Sequence, residues 1–218
     1  MKKNKFVYFA TTLLVLSMAF VSCSENVNDN EEYANWQNVN DAAFNDSINL
    51  AQQRISAGDT LYKIYNVWSI NDTIKTANTN KIVVHVINSG KGSGCPLYTD
   101  SVKVHYSGRL LPSASYPKGK VFDQSWQGEY NLQTNRARVM AVNTLTDGFA
   151  TALQHMHIGD RWLVTVPYNL GYGTTGYTSA GIPAYSALVF DITLVAYSRV
   201  GTALPINVMS KSTQWVEK

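Results

Sequence analysis

The chain has 218 residues, 45% of them hydrophobic and only 15% charged, a length that suits one domain with appendages or two small ones. The charge deficit, against a usual value of about 25%, is filled by Asn, Thr, Ser and 13 Tyr, a composition common in secreted β-rich proteins. The formal net charge of +3 belongs entirely to Lys2, Lys3 and Lys5, because the remainder balances 15 basic against 15 acidic residues, which excludes a basic footprint for DNA or RNA.

Those three lysines precede an apolar run over residues 6–20 and then Val21-Ser22-Cys23. A charged region, a hydrophobic region and a small-residue cleavage site form an export signal over residues 1–22. The run is short for a membrane span of about 20 residues. A cysteine directly after the small residue resembles the lipobox of bacterial lipoproteins. The resemblance implies that Cys23 becomes the acylated first residue, anchoring the mature chain to the cell envelope. Ser24 follows rather than Asp, which implies the outer membrane and leaves the leaflet open. An ordinary cleaved signal with an incidental cysteine is the alternative. If Cys23 is acylated, Cys95 stands alone in an oxidising compartment and no internal disulfide forms. Gly94-Cys95-Pro96 is a turn context without a neighbouring base, so Cys95 reads as structural.

Along the mature chain, residues 24–35 are polar and acidic and read as a tether. Trp36, Val39, Ala43, Phe44, Ile48, Ala51 and Ile55 follow helical spacing and predict one amphipathic helix over residues 36–55. Residues 61–70 read as a strand and residues 71–80 as a polar linker. Residues 23–75 carry 8 acids against 3 bases, so residues 76–218 hold a compensating +5. Strands are expected over residues 81–87, 101–110, 160–166 and 187–197, where Val102, Val104 and Tyr106 share one face of the second. Leu145, Phe149, Ala152, Leu153 and Met156 step at helical intervals, and Ile158-Gly159-Asp160 ends that helix. A helix of about ten residues must lay its apolar face on the sheet, which predicts an α+β domain. The divisions are 1–22, 23–79 (tether, helix and extra strand), 80–198 (globular domain) and 199–218 (tail).

The usual chemical motifs are absent: no G-x-S-x-G, Walker loop, H-E-x-x-H or C-x-x-C occurs. His155 and His157 form the only close histidine pair, without a third ligand beside them. A histidine near a helix C-terminus is favourable without any metal. No metal and no cofactor are therefore expected.

What the chain does contain is an ordered series of segments. They are Val104-His105-Tyr106-Ser107-Gly108, Val121-Phe122-Asp123-Gln124-Ser125, Leu145-Thr146-Asp147-Gly148-Phe149 and Met156-His157-Ile158-Gly159-Asp160. Val166-Pro167 with Gly171-Tyr172-Gly173, then Ile182-Pro183-Ala184 and Leu188-Val189-Phe190-Asp191, complete it. Over residues 80–198 this order resembles the FKBP-type peptidyl-prolyl cis–trans isomerases. The resemblance implies a curved antiparallel sheet wrapped around a short helix, with the pocket between them, and the helix read from spacing over residues 36–55 is an N-terminal extension to it. It implies Phe149 as the floor under the proline ring and Tyr106, Phe122 and Phe190 as walls. Leu145 and Ile182 would complete the substrate-binding set, and Thr146 would contribute its backbone N–H. Tyr172 would bond a substrate carbonyl, and Asp123 would sit beside the twisting amide. The turn over residues 111–120 and the stretch 124–138 are longer than in compact members. An aromatic that lines the pocket there has no clear counterpart near Arg136–Arg138, which puts macrolide affinity in question.

The leading expectation is a lipid-anchored prolyl isomerase acting on proline-containing exported polypeptides. A non-catalytic peptide- or protein-binding lipoprotein of the same fold is the alternative, and carbohydrate binding through exposed aromatics is a third reading. Residues 36–55 could form a homodimer or pack on the domain.

Overall fold

The computed structural model describes residues 29–200; Cys23, the export signal and most of the C-terminal tail lie outside them. The elements in order are α1 (Asp29–Glu32), α2 (Trp36–Ser56), β1 (Tyr62–Asn66), β2 (Lys81–Asn88), β3 (Ser101–Leu110), β4 (Val121–Gln124), β5 (Arg138–Ala141), α3 (Asp147–His155), β6 (Arg161–Val166) and β7 (Leu188–Ser198). The seven strands make one antiparallel sheet, six of them in the order β1-β2-β6-β7-β3-β4 and β5 paired with β3 beside that path. β3 shares its outer edge between two partners, with Ser107–Arg109 pairing β4 and Ser101–Val104 pairing β5. Register shifts at Val86/Asn88, Lys103/Val104 and Gly108/Arg109 bend the strands, and bulges of this kind let a sheet curl over a helix.

Period-2 burial builds the concave face. Trp162, Val164 and Val166 of β6 point inward, as do Val102, Val104, Tyr106 and Leu110 of β3, and Leu188, Phe190, Ile192 and Leu194 of β7. α3 buries Phe149, Ala150, Ala152 and Leu153 against them. Its first turn lies so close to the sheet that a Cβ at Gly148 would sit 2.3 Å from Val166 Cγ1, so only glycine fits there. The expected α+β architecture, with a sheet curved around a short helix and a helical extension before it, is the one observed.

Outside the sheet, α2 buries a single stripe: Trp36, Asn40, Phe44, Ile48 and Ala51. Phe44, Ile48 and Ala51 pack with Val83, Tyr62 and Ile64 of the first two strands. Val83 faces this helix while Ile82, Val84 and Val86 face the main core. A strand covered on both sides reads as an unbroken apolar run, which accounts for the sequence of β2. Val39 and Ile55, expected on the apolar face, are exposed, and Asn40 is buried in their place. Asn40 is satisfied there: its Nδ2 donates to Trp36 O (2.7 Å) and its Oδ1 accepts Ala187 N–H (2.8 Å).

Two further expectations are corrected. The first strand is shorter than residues 61–70, ending at Asn66. There the backbone N–H donates to Asp72 Oδ1 (2.7 Å), and the side-chain amide donates to the carbonyls of Asn71 and Ile74. This local network turns the chain before Val67. Nor is the tether free along its whole length, because Glu32 accepts hydrogen bonds from Ser113 and Ser115, and Tyr33 packs edge-on to Trp36 at 4.9 Å.

One buried and one partly buried histidine make stability depend on pH. Burial holds both His105 and His155 below the ordinary histidine range; for His155 the nearby Asp72 opposes this and Lys63 adds to it. Nδ1 of His105 is buried without a hydrogen-bond partner. Each group is thus more easily protonated unfolded than folded. Their stabilisation is complete above the unfolded pKa of about 6.5 and is lost as pH falls through the lower folded value. Urea unfolding is expected to show falling stability from pH 7 to pH 5, with a shallower slope for His105→Asn/His155→Gln. An unchanged slope in that variant would contradict the assignment.

Candidate active site

Five elements converge on one aromatic cluster. β3 supplies Tyr106, β4 supplies Phe122 and Asp123, and the approach to α3 and its first turn supply Leu145, Thr146 and Phe149. The loop after β6 supplies Tyr172 and Ile182, and β7 supplies Phe190. Phe149 lies edge-on to Tyr106 (5.6 Å between centroids) and to Phe190 (4.9 Å). Phe122 in turn meets Phe190 at 5.8 Å and Tyr172 at 6.4 Å, again edge-on. Edge-to-face packing of this kind locks each ring by its neighbours. The strand register helps, because Gly108 stands opposite both Asp123 and Phe190. A Cβ on Gly108 would lie 2.6 Å from Phe122 and 2.7 Å from Phe190, so the missing side chain is what lets the two rings meet.

The polar groups sit at the edge of this cluster. Tyr106 donates its hydroxyl hydrogen to Asp123, and Arg138 donates to the same hydroxyl oxygen. Arg138 also reaches Asp123 at 3.2 Å and the carbonyl of Gln124 at 3.1 Å. Burial first, then the hydrogen bond to Asp123, pushes the Tyr106 phenol far above its ordinary range, so it stays protonated as a donor. Tyr172 is raised as well, by burial and then by the Asp123 and Tyr177 charges. Its hydroxyl has no hydrogen-bond partner among the described residues, nor does the backbone N–H of Thr146. Two polar groups are therefore uncommitted beside an apolar cluster.

Seven of the nine sequence-predicted residues are linked to this cluster, and Leu145 and Thr146 lie on the approach to α3 just before Phe149. Tyr106, Phe122, Phe149, Tyr172 and Phe190 are joined by ring contacts, with Asp123 on the Tyr106 hydroxyl. Ile182 is buried and connects through Tyr177, which pairs with it by backbone hydrogen bonds and stacks on Tyr172 at 5.4 Å. Leu145 packs half-buried on the core, and Thr146 precedes α3 at its N-cap.

Three residues escaped the sequence reading: Arg138, Ser125 and Tyr177. Ser125 Oγ accepts the Tyr106 N–H at 2.9 Å and so fixes the backbone under the ring. Arg138 stands over the Tyr106 ring at 5.2 Å, in the stretch that lacks a pocket-lining aromatic. Its pairing opposite Val104 is a long-range fact that no local pattern announces.

The histidine pair and Cys95 lie elsewhere. His155 stacks on Tyr65 at 3.9 Å, and His157 Nε2 is 3.8 Å from Cys95 Sγ, so the fold does bring a base beside Cys95 from 62 positions away, contrary to the expectation from sequence. Burial, then the Asp160 charge, pushes the Cys95 thiol up. That is the direction of an inert thiol rather than a nucleophile.

Comparison with known proteins bears on the same region. Residues 95–195 match the family model of the FKBP-type peptidyl-prolyl cis-trans isomerases. The chain is 36% identical over 115 residues to the macrophage infectivity potentiator of Trypanosoma cruzi, covering 53% of this chain and 52% of that one. It is 37% identical over 110 residues to the FKBP-type 22 kDa peptidyl-prolyl cis-trans isomerase of Escherichia coli, covering 50% and 47%. The chain thus spans about half the length of these curated relatives. A solved peptidyl-prolyl cis-trans isomerase from Pseudomonas syringae pv. tomato aligns at a TM-score of 0.49 and 25% identity, over 73% of this chain and 96% of that one. Residues 95–195, which carry most of the ordered motifs, are thus similar to the FKBP-type peptidyl-prolyl cis-trans isomerases.

Proposed function

We propose that the protein is a peptidyl-prolyl cis–trans isomerase for proline-containing exported polypeptides. The observation that supports this best is the juxtaposition of five mutually locked aromatic rings with two uncommitted hydrogen-bonding groups, Tyr172 Oη and Thr146 N–H. Rotation about an X–Pro bond breaks amide resonance behind a barrier of about 18–20 kcal/mol. The planar amide is strongly dipolar, whereas the twisted transition state has withdrawn charge from its oxygen. An apolar aromatic site therefore disfavours the planar forms more than the twisted one. Phe149 forms the floor, Tyr106, Phe122 and Phe190 the walls, and Leu145 and Ile182 the remaining apolar lining. Tyr172 and Thr146 hold the carbonyl in place without restoring its resonance. Asp123, oriented by Tyr106 and Arg138, sits beside the twisting bond. A thousandfold acceleration requires only about 4 kcal/mol, and preferential accommodation of the twisted amide can supply it without a nucleophile or metal.

The export signal, the lipobox-like Val21-Ser22-Cys23 and the acidic stretch after it support a lipid-anchored protein of the cell envelope, and Ser24 in place of Asp favours the outer membrane, in either leaflet. Among the described residues no helix is long and apolar enough to cross a membrane. A homodimer through residues 36–55 would use the outward face of α2, where Val39, Leu50 and Ile55 are exposed. The test of function is refolding of a secreted protein whose slow phase is prolyl isomerisation. The wild-type chain is expected to accelerate that phase and Tyr172→Phe/Asp123→Ala to lose most of the effect. Binding of the unfolded protein without acceleration would instead favour a non-catalytic binding lipoprotein.

A further inference from the structure

Beside the aromatic cluster lies a second cavity of about 770 Å³, between the start of α2 and the loop after β6. Its walls are residues 33–38 on one side and Thr178 with residues 181–185 on the other, with Lys120 between them. Ile182 belongs to both this wall and the proposed proline site, so the two spaces adjoin. The N-terminal segment is no loose flap. Trp36 Nε1 donates to Ser186 Oγ at 2.8 Å, Ser186 Oγ donates to Pro183 O at 2.7 Å, and both sides are thereby held at fixed separation.

Two features bear on what this cavity could hold. Among the described residues, the only non-glycine residues with positive φ are Asn35 (55°) and Tyr185 (60°), and both stand in its walls. Asn adopts this conformation readily, whereas for Tyr185 it is unusual and persists only where the surroundings impose it. The second feature is charge. Lys120 is the single charged side chain in the lining, half-buried, with its ammonium 5.7 Å over the Tyr116 ring and no ion pair among the described residues. Glu32 feels its charge, but the Glu32 oxygens are committed to Ser113 and Ser115. The first turn of α2 carries no acidic residue to offset its positive end.

Resting on the isomerase reading above, we propose that this cavity is an extended subsite for the polypeptide flanking the substrate proline, selective for an acidic side chain that pairs with Lys120. A space of this size falls within the usual range for ligand sites. Its mixed wall of Tyr33, Tyr185 and the amides of Asn35, Gln37 and Asn38 suits a peptide backbone with one anchoring carboxylate. The proline would be held in the aromatic pocket and its neighbours would be read by the N-terminal segment.

The test compares a Pro-containing tetrapeptide, too short to reach the cavity, with ten-residue peptides carrying Glu or Gln at flanking positions. For the wild-type chain, kcat/KM for Glu peptides is expected to exceed that for Gln peptides roughly fivefold, the size of a partly buried charge pair. Lys120→Met should erase that ratio and leave the tetrapeptide value in place, and Lys120→Glu should invert the preference toward Lys-flanked peptides. Equal Glu and Gln values in the wild type, or an equal loss on every peptide in Lys120→Met, overturns the subsite. If no peptide is isomerised, the isomerase reading has failed; fluorescence polarisation of the labelled Glu peptide then decides the subsite alone. Binding weakened by Lys120→Met upholds it, and binding indifferent to residue 120 overturns it.

Discussion

Phe149→Ala is expected to cost about 3–5 kcal/mol of folding stability, the usual range for emptying a buried aromatic site, and to abolish isomerase activity. Phe149 is buried and is the one ring in contact with both Tyr106 and Phe190, so its removal takes away the floor and two locking contacts together. Because part of the activity loss would be unfolding, Phe149→Leu separates the two effects. It keeps most of the volume, so its stability cost should stay under about 1.5 kcal/mol. Its kcat/KM should nonetheless fall by about tenfold, equivalent to about 1.4 kcal/mol of transition-state stabilisation. Urea unfolding and peptide isomerisation on the same samples check both numbers. Full activity in Phe149→Leu would show that the aromatic floor does not contribute to the transition state.

The second large effect is expected at the other end of the chain. Trp36→Ala should destabilise the whole domain by about 3–5 kcal/mol, although Trp36 lies well before the family-matched segment. Trp36 is 7% exposed, belongs to the same core cluster as Leu153 and Trp162, and donates its indole N–H to Ser186. Trp36→Phe keeps a ring against Tyr33 but leaves the Ser186 hydroxyl without its donor, a loss of about 1 kcal/mol. Both variants should unfold in one transition at lower urea concentration. A Trp36→Ala chain with wild-type stability would mean that α2 unfolds independently of the sheet.

What the sequence disclosed follows from how each element is buried. β3 and β6 alternate because one face meets the core, and β2 and β7 read as apolar runs because they are covered more fully. β4 and β5 gave no such signal: each has four residues, none of them fully buried, and Val139 is 59% exposed. They are strands because the outer edge of β3 accepts their hydrogen bonds, which is a tertiary fact. Helical spacing located α2, but its buried stripe was set by the sheet it meets, so Asn40 went in and Val39 stayed out. In the site, the aromatic residues were legible through their order along the chain. Arg138 was not, because a cation at the edge of an apolar pocket looks from sequence like any solvated arginine. The cavity walled by residues 33–38 and 181–185 was invisible for a similar reason: its two sides are nearly 150 positions apart and meet through Trp36, Asn40, Ser186 and Ala187.

The central claim is that the cluster of Tyr106, Phe122, Asp123, Phe149, Tyr172 and Phe190 accelerates rotation about an X–Pro bond. Its most direct test is two-dimensional NMR exchange on an Ala-Leu-Pro-Phe peptide, with catalytic amounts of the mature chain and no protease. The account predicts cis–trans exchange cross-peaks in the presence of the wild-type chain that are absent from the peptide alone and strongly reduced with Tyr172→Phe/Asp123→Ala. Exchange no faster than that of the free peptide, from a chain shown to be folded, would contradict it.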